Sequence, residues 1–200
     1  MPRWLHQRRI GGNFNVRRDI RIVGAGGHGV ISAAIILAKV YGINESCNVS
    51  QTQSYGPEAR GGACKAEVVV SDHEEIDYMK VEKADIFIAF NQLGYEQYKK
   101  QTKKDGVVLV NSSLVTVDPE DAQKVYEIPA SEIADTSFKP FAVNIVMLGA
   151  LTKLLPKLQY QSTRDAIRGN FNKSAADMNL AAYDAGYHYI QNEYFLKKMA

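Results

Sequence analysis

Asp19 to Ala38 reads DIRIVGAGGHGVISAAIILA, and the order of residue types in this stretch decides the fold. Ile20, Ile22 and Val23 form a short β-rich run. GAGGHG follows, and then the apolar series Val30, Ile31, Ala33, Ala34, Ile35, Leu37, Ala38. The succession predicts strand, glycine turn, helix. Gly24, Gly26 and Gly29 satisfy G-x-G-x-x-G directly after a strand and at the opening of a helix, where the motif has a mechanical meaning. Without Cβ atoms the backbone can turn tightly and approach a phosphate, while the first helical turn presents its N–H groups to an anion. A phosphate-bearing ligand is the natural guest. The alternative use of the same glycines is close packing of helix on strand.

A nicotinamide enzyme of this plan keeps an Asp or Glu about 20 residues further on, at the end of the second strand, to bind the ribose hydroxyls. Here that zone is Val49-Ser50-Gln51-Thr52-Gln53, without an acid, and Glu45 lies before the strand. Another nucleotide carrying a diphosphate fits better. His28, inside the loop, reads as a lining residue of the binding site and not as a catalyst.

Working outward, Cys47 to Gln53 and Cys64 to Val70 read as strands separated by an irregular loop. Asp85 to Phe90, a polar helical stretch from Leu93 to Lys103, and Gly106 to Val110 repeat the strand–helix–strand rhythm of a parallel sheet. Val125 to Ile128 reads as a further short strand, and Ser131 as the cap of a brief helix. Phe141 to Leu155 is an apolar helix ending at Pro156, and Lys173 to Lys198 a long terminal helix, so two helices close the chain. The fold class expected is α/β, a Rossmann-like three-layer sandwich with a mostly parallel sheet and helices on both faces.

The chain has 200 residues, 46% of them hydrophobic and 23% charged, enough for one ordinary core and no sign of disorder. Residues 17–200 are read as a single domain and residues 1–16 as an N-terminal tail, since those first residues are basic but have no apolar signal core. A net charge of +2 is too mild for a nucleic-acid binder. Apolar runs such as Val30 to Val40 fall short of the ~20 residues of a membrane span. A cytoplasmic protein is expected. Two cysteines, Cys47 and Cys64, exclude a disulfide framework and the four thiolates of an iron–sulfur cluster, so any electrons are carried by another chain.

Gln51 to Gly62, QTQSYGPEARGG, combines an aromatic, a proline, a carboxylate, an arginine and glycines with no core-forming period, which is the composition of a recognition loop. Arg60 can fork onto a phosphate or carboxylate, and Glu58 can orient it or meet a partner. Tyr55 is placed at a subunit interface. Helical spacing puts Tyr183, Tyr187, Ile190 and Tyr194 on one face, suited to core or to a subunit contact.

GAGGHGVISAAIILA and QSYGPEARGGACKAEVVVSD, with VLVNSS and PFAVNIVMLGAL beyond them, resemble the gamma subunit of the 2-oxoacid:ferredoxin (or flavodoxin) oxidoreductases, in the form typical of the 2-oxoglutarate enzymes. The similarity runs from Arg17 to the C-terminus. It implies a non-catalytic but necessary subunit of an enzyme that converts 2-oxoglutarate and coenzyme A into succinyl-CoA, carbon dioxide and reduced acceptor. It also implies alpha, beta and delta partner subunits that hold thiamine diphosphate, magnesium and iron–sulfur clusters, none of these on this chain, with ferredoxin or flavodoxin as acceptor. By the same resemblance Gly24, Ala25, Gly26, Gly27, His28 and Gly29 face a phosphate of coenzyme A, and Asn111 and Asn144 hydrogen-bond the same ligand. Arg60 or Lys65 supplies a basic contact. Two other readings of the glycine loop stay open at this point, a stand-alone nicotinamide-dependent dehydrogenase and a nucleotide-sensing domain.

Overall fold

The computed structural model describes residues 17–54, 64–72, 74–121, 125–155 and 157–196. The tail 1–16 and the loop bearing Tyr55, Glu58 and Arg60 lie outside the described residues. Strand β1 (Arg18–Gly24) leads into helix α1 (Val30–Lys39), which widens into a π-turn over Val40–Asn44. Strands β2 (Asn48–Ser54) and β3 (Cys64–Ser71) follow, then β4 (Ala84–Ala89), α2 (Gln92–Tyr98), β5 (Thr102–Asn111) and β6 (Val125–Ile128). Four helices complete the described chain: α3 (Ala130–Ser137), α4 (Val143–Leu154), α5 (Tyr160–Asn170) and α6 (Lys173–Ile190).

The six strands form one sheet in the order β2-β3-β1-β4-β5-β6. β1, β4, β5 and β6 run parallel, as the strand–helix–strand rhythm predicts. β3 is antiparallel to both its neighbours and is inserted between β1 and β2. That insertion accounts for the missing ribose acid, because the strand that would carry it is one place too far from the glycine loop.

Alternation along β1 sorts the two layers. Ile20 and Ile22 pack with Ile36 and Leu37 of α1 and with Ile145, Val146 and Leu151 of α4, in the larger core. Val23 faces the other way, with Phe87, Val110 and Tyr95, under the short helix α2. Arg21 also belongs to this thin side, yet it is only 2% exposed. Its Nε donates to Glu67 Oε1 at 2.8 Å, its other nitrogens reach Gln101 Oε1 and the Val81 carbonyl, and its guanidinium lies over the Tyr98 ring. Arg21 and Glu67 are cross-strand partners in the β1–β3 register, so the sheet itself supplies the pairing that a buried charge requires.

Several expected boundaries move. The helix expected over Leu93–Lys103 ends at Tyr98 with a 3-10 turn over Lys99–Gln101. β5 begins at Thr102, not Gly106, because a shift of register on β4 lets Thr102 pair with Ala84. Ser131 does not cap α3. Pro129 holds that position, and the Ser131 hydroxyl is engaged by Asn111. Three helices, not two, close the described chain: α5 is so polar that only Thr163 and Ile167 are buried on its inner face, which hid its period. The terminal helix stops at Ile190 and continues as a π-turn over Gln191–Leu196.

The tyrosines expected on one face divide. Tyr183 is fully buried in the core, and Tyr187 packs against Tyr160 with the rings tilted by 56°. The Tyr194 hydroxyl accepts from the Glu127 N–H at 2.9 Å and donates to the Glu127 carbonyl, closing the outer edge of β6.

α4 and α6 cross at backbone contact. A Cβ at Gly149 would stand 2.0 Å from the Tyr183 carbonyl oxygen, and one at Gly186 would stand 1.9 Å from that of Val146. Both contacts are with backbone, which cannot swing aside. Gly149→Ala and Gly186→Ala are therefore each expected to cost about 3 kcal/mol in denaturant unfolding. Gly169→Ala, on the open face of α5 with nothing within 4 Å, should instead gain up to about 1 kcal/mol.

Candidate functional site

In an open α/β sheet, ligands gather beyond the carboxyl ends of the strands, where neighbouring connections leave toward opposite faces. Here that point lies between β1, whose connection enters α1 on the thick side, and β4, whose connection enters α2 on the thin side. The loop after β1 turns sharply: the His28 N–H donates to the Ala25 carbonyl at 3.2 Å, and Gly27 and Gly29 have φ of +90° and +72°. Side chains rarely adopt such values, so glycine at these two positions is a backbone requirement.

The glycines differ in what surrounds them. At Gly24 a Cβ would press on Val30 and Phe90, so this position serves packing. At Gly29 it would fall 2.5 Å from Nδ2 of Asn144. Gly26 and Gly27 are exposed, and a Cβ at Gly27 would meet nothing within 4 Å. These two present bare backbone to a cleft of about 560 Å³ lined also by His28, Asn111, Ser131, Leu114, Asp135 and Phe141. The space beside Gly27 and the start of α1, which carries no acid in its first turn, suit an anionic group.

His28 Nδ1 accepts a hydrogen bond from the Ala25 N–H at 3.3 Å, leaving Nε2 as the donor of the neutral ring. Desolvation holds its pKa below the usual histidine value. The ring is thus neutral near pH 7 and tightens the loop from within.

Asn111 lies at the carboxyl end of β5, where the sequence places it, and lines the cleft. It is fully buried, and its amide is spent on the protein. Nδ2 donates to Ser131 Oγ at 2.8 Å and to the Phe90 carbonyl at 3.4 Å, while Oδ1 accepts from the Ser131 N–H at 3.2 Å. Asn111 therefore ties β4, β5 and the start of α3 together. Asn144 sits in α4, buried, with Nδ2 donating to the Gly29 carbonyl at 3.2 Å. The structure joins it to the glycine loop from behind, among residues that hold the wall. Lys65 is not among the lining residues: its Nζ pairs with Glu67 at 3.2 Å and stands over the Tyr98 ring on the thin side. Arg60 lies outside the described residues.

Sequence reasoning passed over Ser131 as a lining residue, and also Asp135, Leu114 and Phe141. Leu114 and Phe141 carried a signal in being large apolar residues beside turn-forming neighbours; they are 47% and 61% exposed. Among the described residues no cluster of His, Cys, Asp and Glu could hold a metal ion, and no helix is long and apolar enough to cross a membrane.

Fold and site thus define an α/β domain with a cleft at the strand ends, organised by a glycine loop and two buried asparagines. Residues 19–189 match the family pyruvate ferredoxin/flavodoxin oxidoreductase, and the chain belongs to that family. It is 44% identical over 186 residues to the 2-oxoglutarate synthase subunit KorC of Methanocaldococcus jannaschii, covering 92% of this chain and 97% of that one. The keto/oxoacid ferredoxin oxidoreductase gamma subunit of Geobacter sulfurreducens superposes with a TM-score of 0.75 at 31% identity, over 86% of this chain and 96% of that one. The 2-oxoglutarate:ferredoxin oxidoreductase of Magnetococcus marinus, solved with 2-oxoglutarate, coenzyme A and succinyl-CoA bound, gives a TM-score of 0.75 at 25% identity. That match covers 88% of this chain and 31% of the Magnetococcus chain, in which the domain is one part of a longer polypeptide.

Two outcomes follow for isolated protein. By NMR the His28 ring should titrate below about 6.5. Because its folded pKa is lowered, its contribution to stability is complete above the unfolded value and is lost as pH falls through the folded one; a midpoint above the ordinary value would contradict the loop geometry. Asn111→Ala leaves the Ser131 N–H and the Phe90 carbonyl without this partner, and should cost about 2 kcal/mol in unfolding free energy.

Proposed function

We propose that this chain is the gamma subunit of a hetero-oligomeric 2-oxoglutarate:ferredoxin (or flavodoxin) oxidoreductase, with residues 17–200 acting as one unit that supplies part of the coenzyme A site. The complex would convert 2-oxoglutarate, coenzyme A and oxidised acceptor into succinyl-CoA, carbon dioxide and acceptor reduced by two electrons. The observation that carries the assignment is the cleft where the bare backbone of Gly26 and Gly27 meets the positive end of α1. The near-complete match to separate subunits of 2-oxoglutarate synthase supports the choice of enzyme.

In this reading the chain itself breaks no bond. N–H groups of the glycine loop and of the first turn of α1 receive a phosphate of coenzyme A, and His28 offers its Nε2 proton to the same group. Asn144 fixes the Gly29 carbonyl, and with it the entry to α1. Asn111 fixes Ser131, whose half-buried side chain lines the same cleft. A direct contact of either asparagine with the ligand would add to these bonds. Arg60 enters on the sequence resemblance alone, as a further cation for the phosphates. Thiamine diphosphate with magnesium, on partner subunits, supplies the carbanion chemistry, and iron–sulfur clusters there carry the electrons. Alpha, beta and delta subunits and a cytoplasmic location complete the proposal.

The test is reconstitution. The purified chain should show no 2-oxoacid-dependent dye reduction, and activity dependent on coenzyme A should arise only when the partner subunits are added. Turnover by the chain alone, or full activity of the partners without it, would refute the assignment. Gly27→Val forces a β-branched side chain into positive φ and into the open space of the cleft. It should raise the KM for coenzyme A about tenfold or more, a loss of ~1.4 kcal/mol, with the KM for 2-oxoglutarate unchanged.

A further inference from the structure

The sheet has two outer edges, and the chain treats them differently. β6 is four residues long, and the Tyr194 hydroxyl takes up both the N–H and the carbonyl of Glu127 on its outer side. β2, at the other end of the sheet, is seven residues long and pairs with β3 without a break, from Asn48 opposite Ser71 to Ser54 opposite Lys65. Its sequence NVSQTQS contains no proline and no charge, its register contains no bulge, and no described strand pairs with its outer side. The devices that blunt a sheet edge are therefore missing from β2, and its outward N–H and C=O groups form a template for another strand. The thick side of the same strand is also open. Val49 and Gln51 line, with Ile35, Ala38 and Ile43, a groove of about 460 Å³ between β2 and the end of α1 with its π-turn, and Ile35 and Ile43 are 37% and 74% exposed. Lys39, the one charge among the lining residues, has its Nζ held by Asn170 Oδ1 of α5 at 2.9 Å.

We infer that β2 pairs with β2 of a second copy of this chain, antiparallel about a two-fold axis at Gln51, so that the two six-stranded sheets become continuous. The strand suits its own copy. About that axis Gln51 meets Gln51, an amide that both donates and accepts. Ser50 meets Thr52 on the thin side, a hydroxyl pair of the kind that stabilises cross-strand neighbours, and Val49 meets Gln53 on the thick side. A strand without charge does not repel its copy, and a groove whose single cation is already engaged does not select a charged partner. The joined strand lies along the groove and takes Val49, Ile35 and Ile43 out of water, which adds apolar area to a backbone pairing that is small by itself. Because Tyr194 closes β6, each copy offers one open edge among its described strands, and the assembly stops at two instead of growing into a fibre. The inference does not rest on the coenzyme A reading, since β2 lies two strands away from the glycine loop.

Sedimentation equilibrium of the full chain should give a species of twice 22.2 kDa. Gln51→Cys tests the register: oxidation with diamide should link it into a covalent dimer, because directly opposite residues of an antiparallel pair lie within disulfide reach. Asn48→Cys, whose two copies would stand about 20 Å apart, should give no such dimer. The unaltered chain, with Cys47 and Cys64, should give none either. Ser50→Lys with Thr52→Lys sets like charges opposite each other on both sides of the axis and should raise the dissociation constant of the dimer about tenfold or more, whereas Ser50→Glu with Thr52→Lys sets unlike charges there and should restore it. A chain that stays at 22.2 kDa up to its highest soluble concentration overturns the proposal. So does a dimer that neither links through Gln51→Cys nor responds to the two charge variants, since another surface then joins the copies. In the assembled complex the Gln51→Cys link should form as well, and a complex holding one copy of this chain would also overturn the proposal, with a strand of another subunit covering β2.

Discussion

One contact joins the core of this protein to its candidate site: the amide of Asn144 stands where a side chain on Gly29 would have to be, and donates its hydrogen bond to the Gly29 carbonyl. Gly29 is the left-handed residue that admits the chain to α1, and Asn144 lies in the first turn of α4, the helix most deeply set in the larger core. The direction of α1, and therefore of the N–H groups it offers to the cleft, is set by a helix more than a hundred residues further along. The crossing of α4 with α6 at Gly149 and Gly186 fixes α4 in turn, because backbone lies against backbone there.

The thin side of the sheet is organised by a different constraint. Arg21 puts a charge into the middle of the central strand, and burying it is tolerable only because Glu67 meets it across the β1–β3 pair and Gln101 and the Val81 carbonyl take its remaining N–H groups. The network draws β1, β3 and the turn after α2 together beneath Tyr98. It also engages Lys65 through Glu67, and so keeps that lysine out of the cleft lining. A charge that reads as an interruption of an apolar strand thus closes a face of the sheet that has little helix to cover it.

The antiparallel β3 explains why a Rossmann-like glycine loop comes without the rest of the nicotinamide site. It separates β1 from β2, so on that side of β1 the ribose-binding acid of dinucleotide enzymes has no neighbouring parallel strand on which to sit. The cleft opens instead toward β4, β5 and α3, where Asn111 ties three elements together. The proposed anion site at the strand ends therefore rests on the glycine loop and its surroundings and not on a dinucleotide-type second strand.

Much of this was legible in the residues themselves. The apolar run of β1, the glycines and the apolar start of α1 determined the strand–loop–helix joint, because backbone freedom and hydrophobic period are local properties. The parallel strands Asp85–Phe90 and Gly106–Val110 and the apolar helix α4 were determined in the same way. Local pattern could not determine α5, whose buried face is two residues wide, nor the start of β5, which depends on a register shift in its neighbour. The tasks of Asn111 and Asn144 were decided by tertiary structure alone, since an amide in a sequence has no partner until the fold brings one to it.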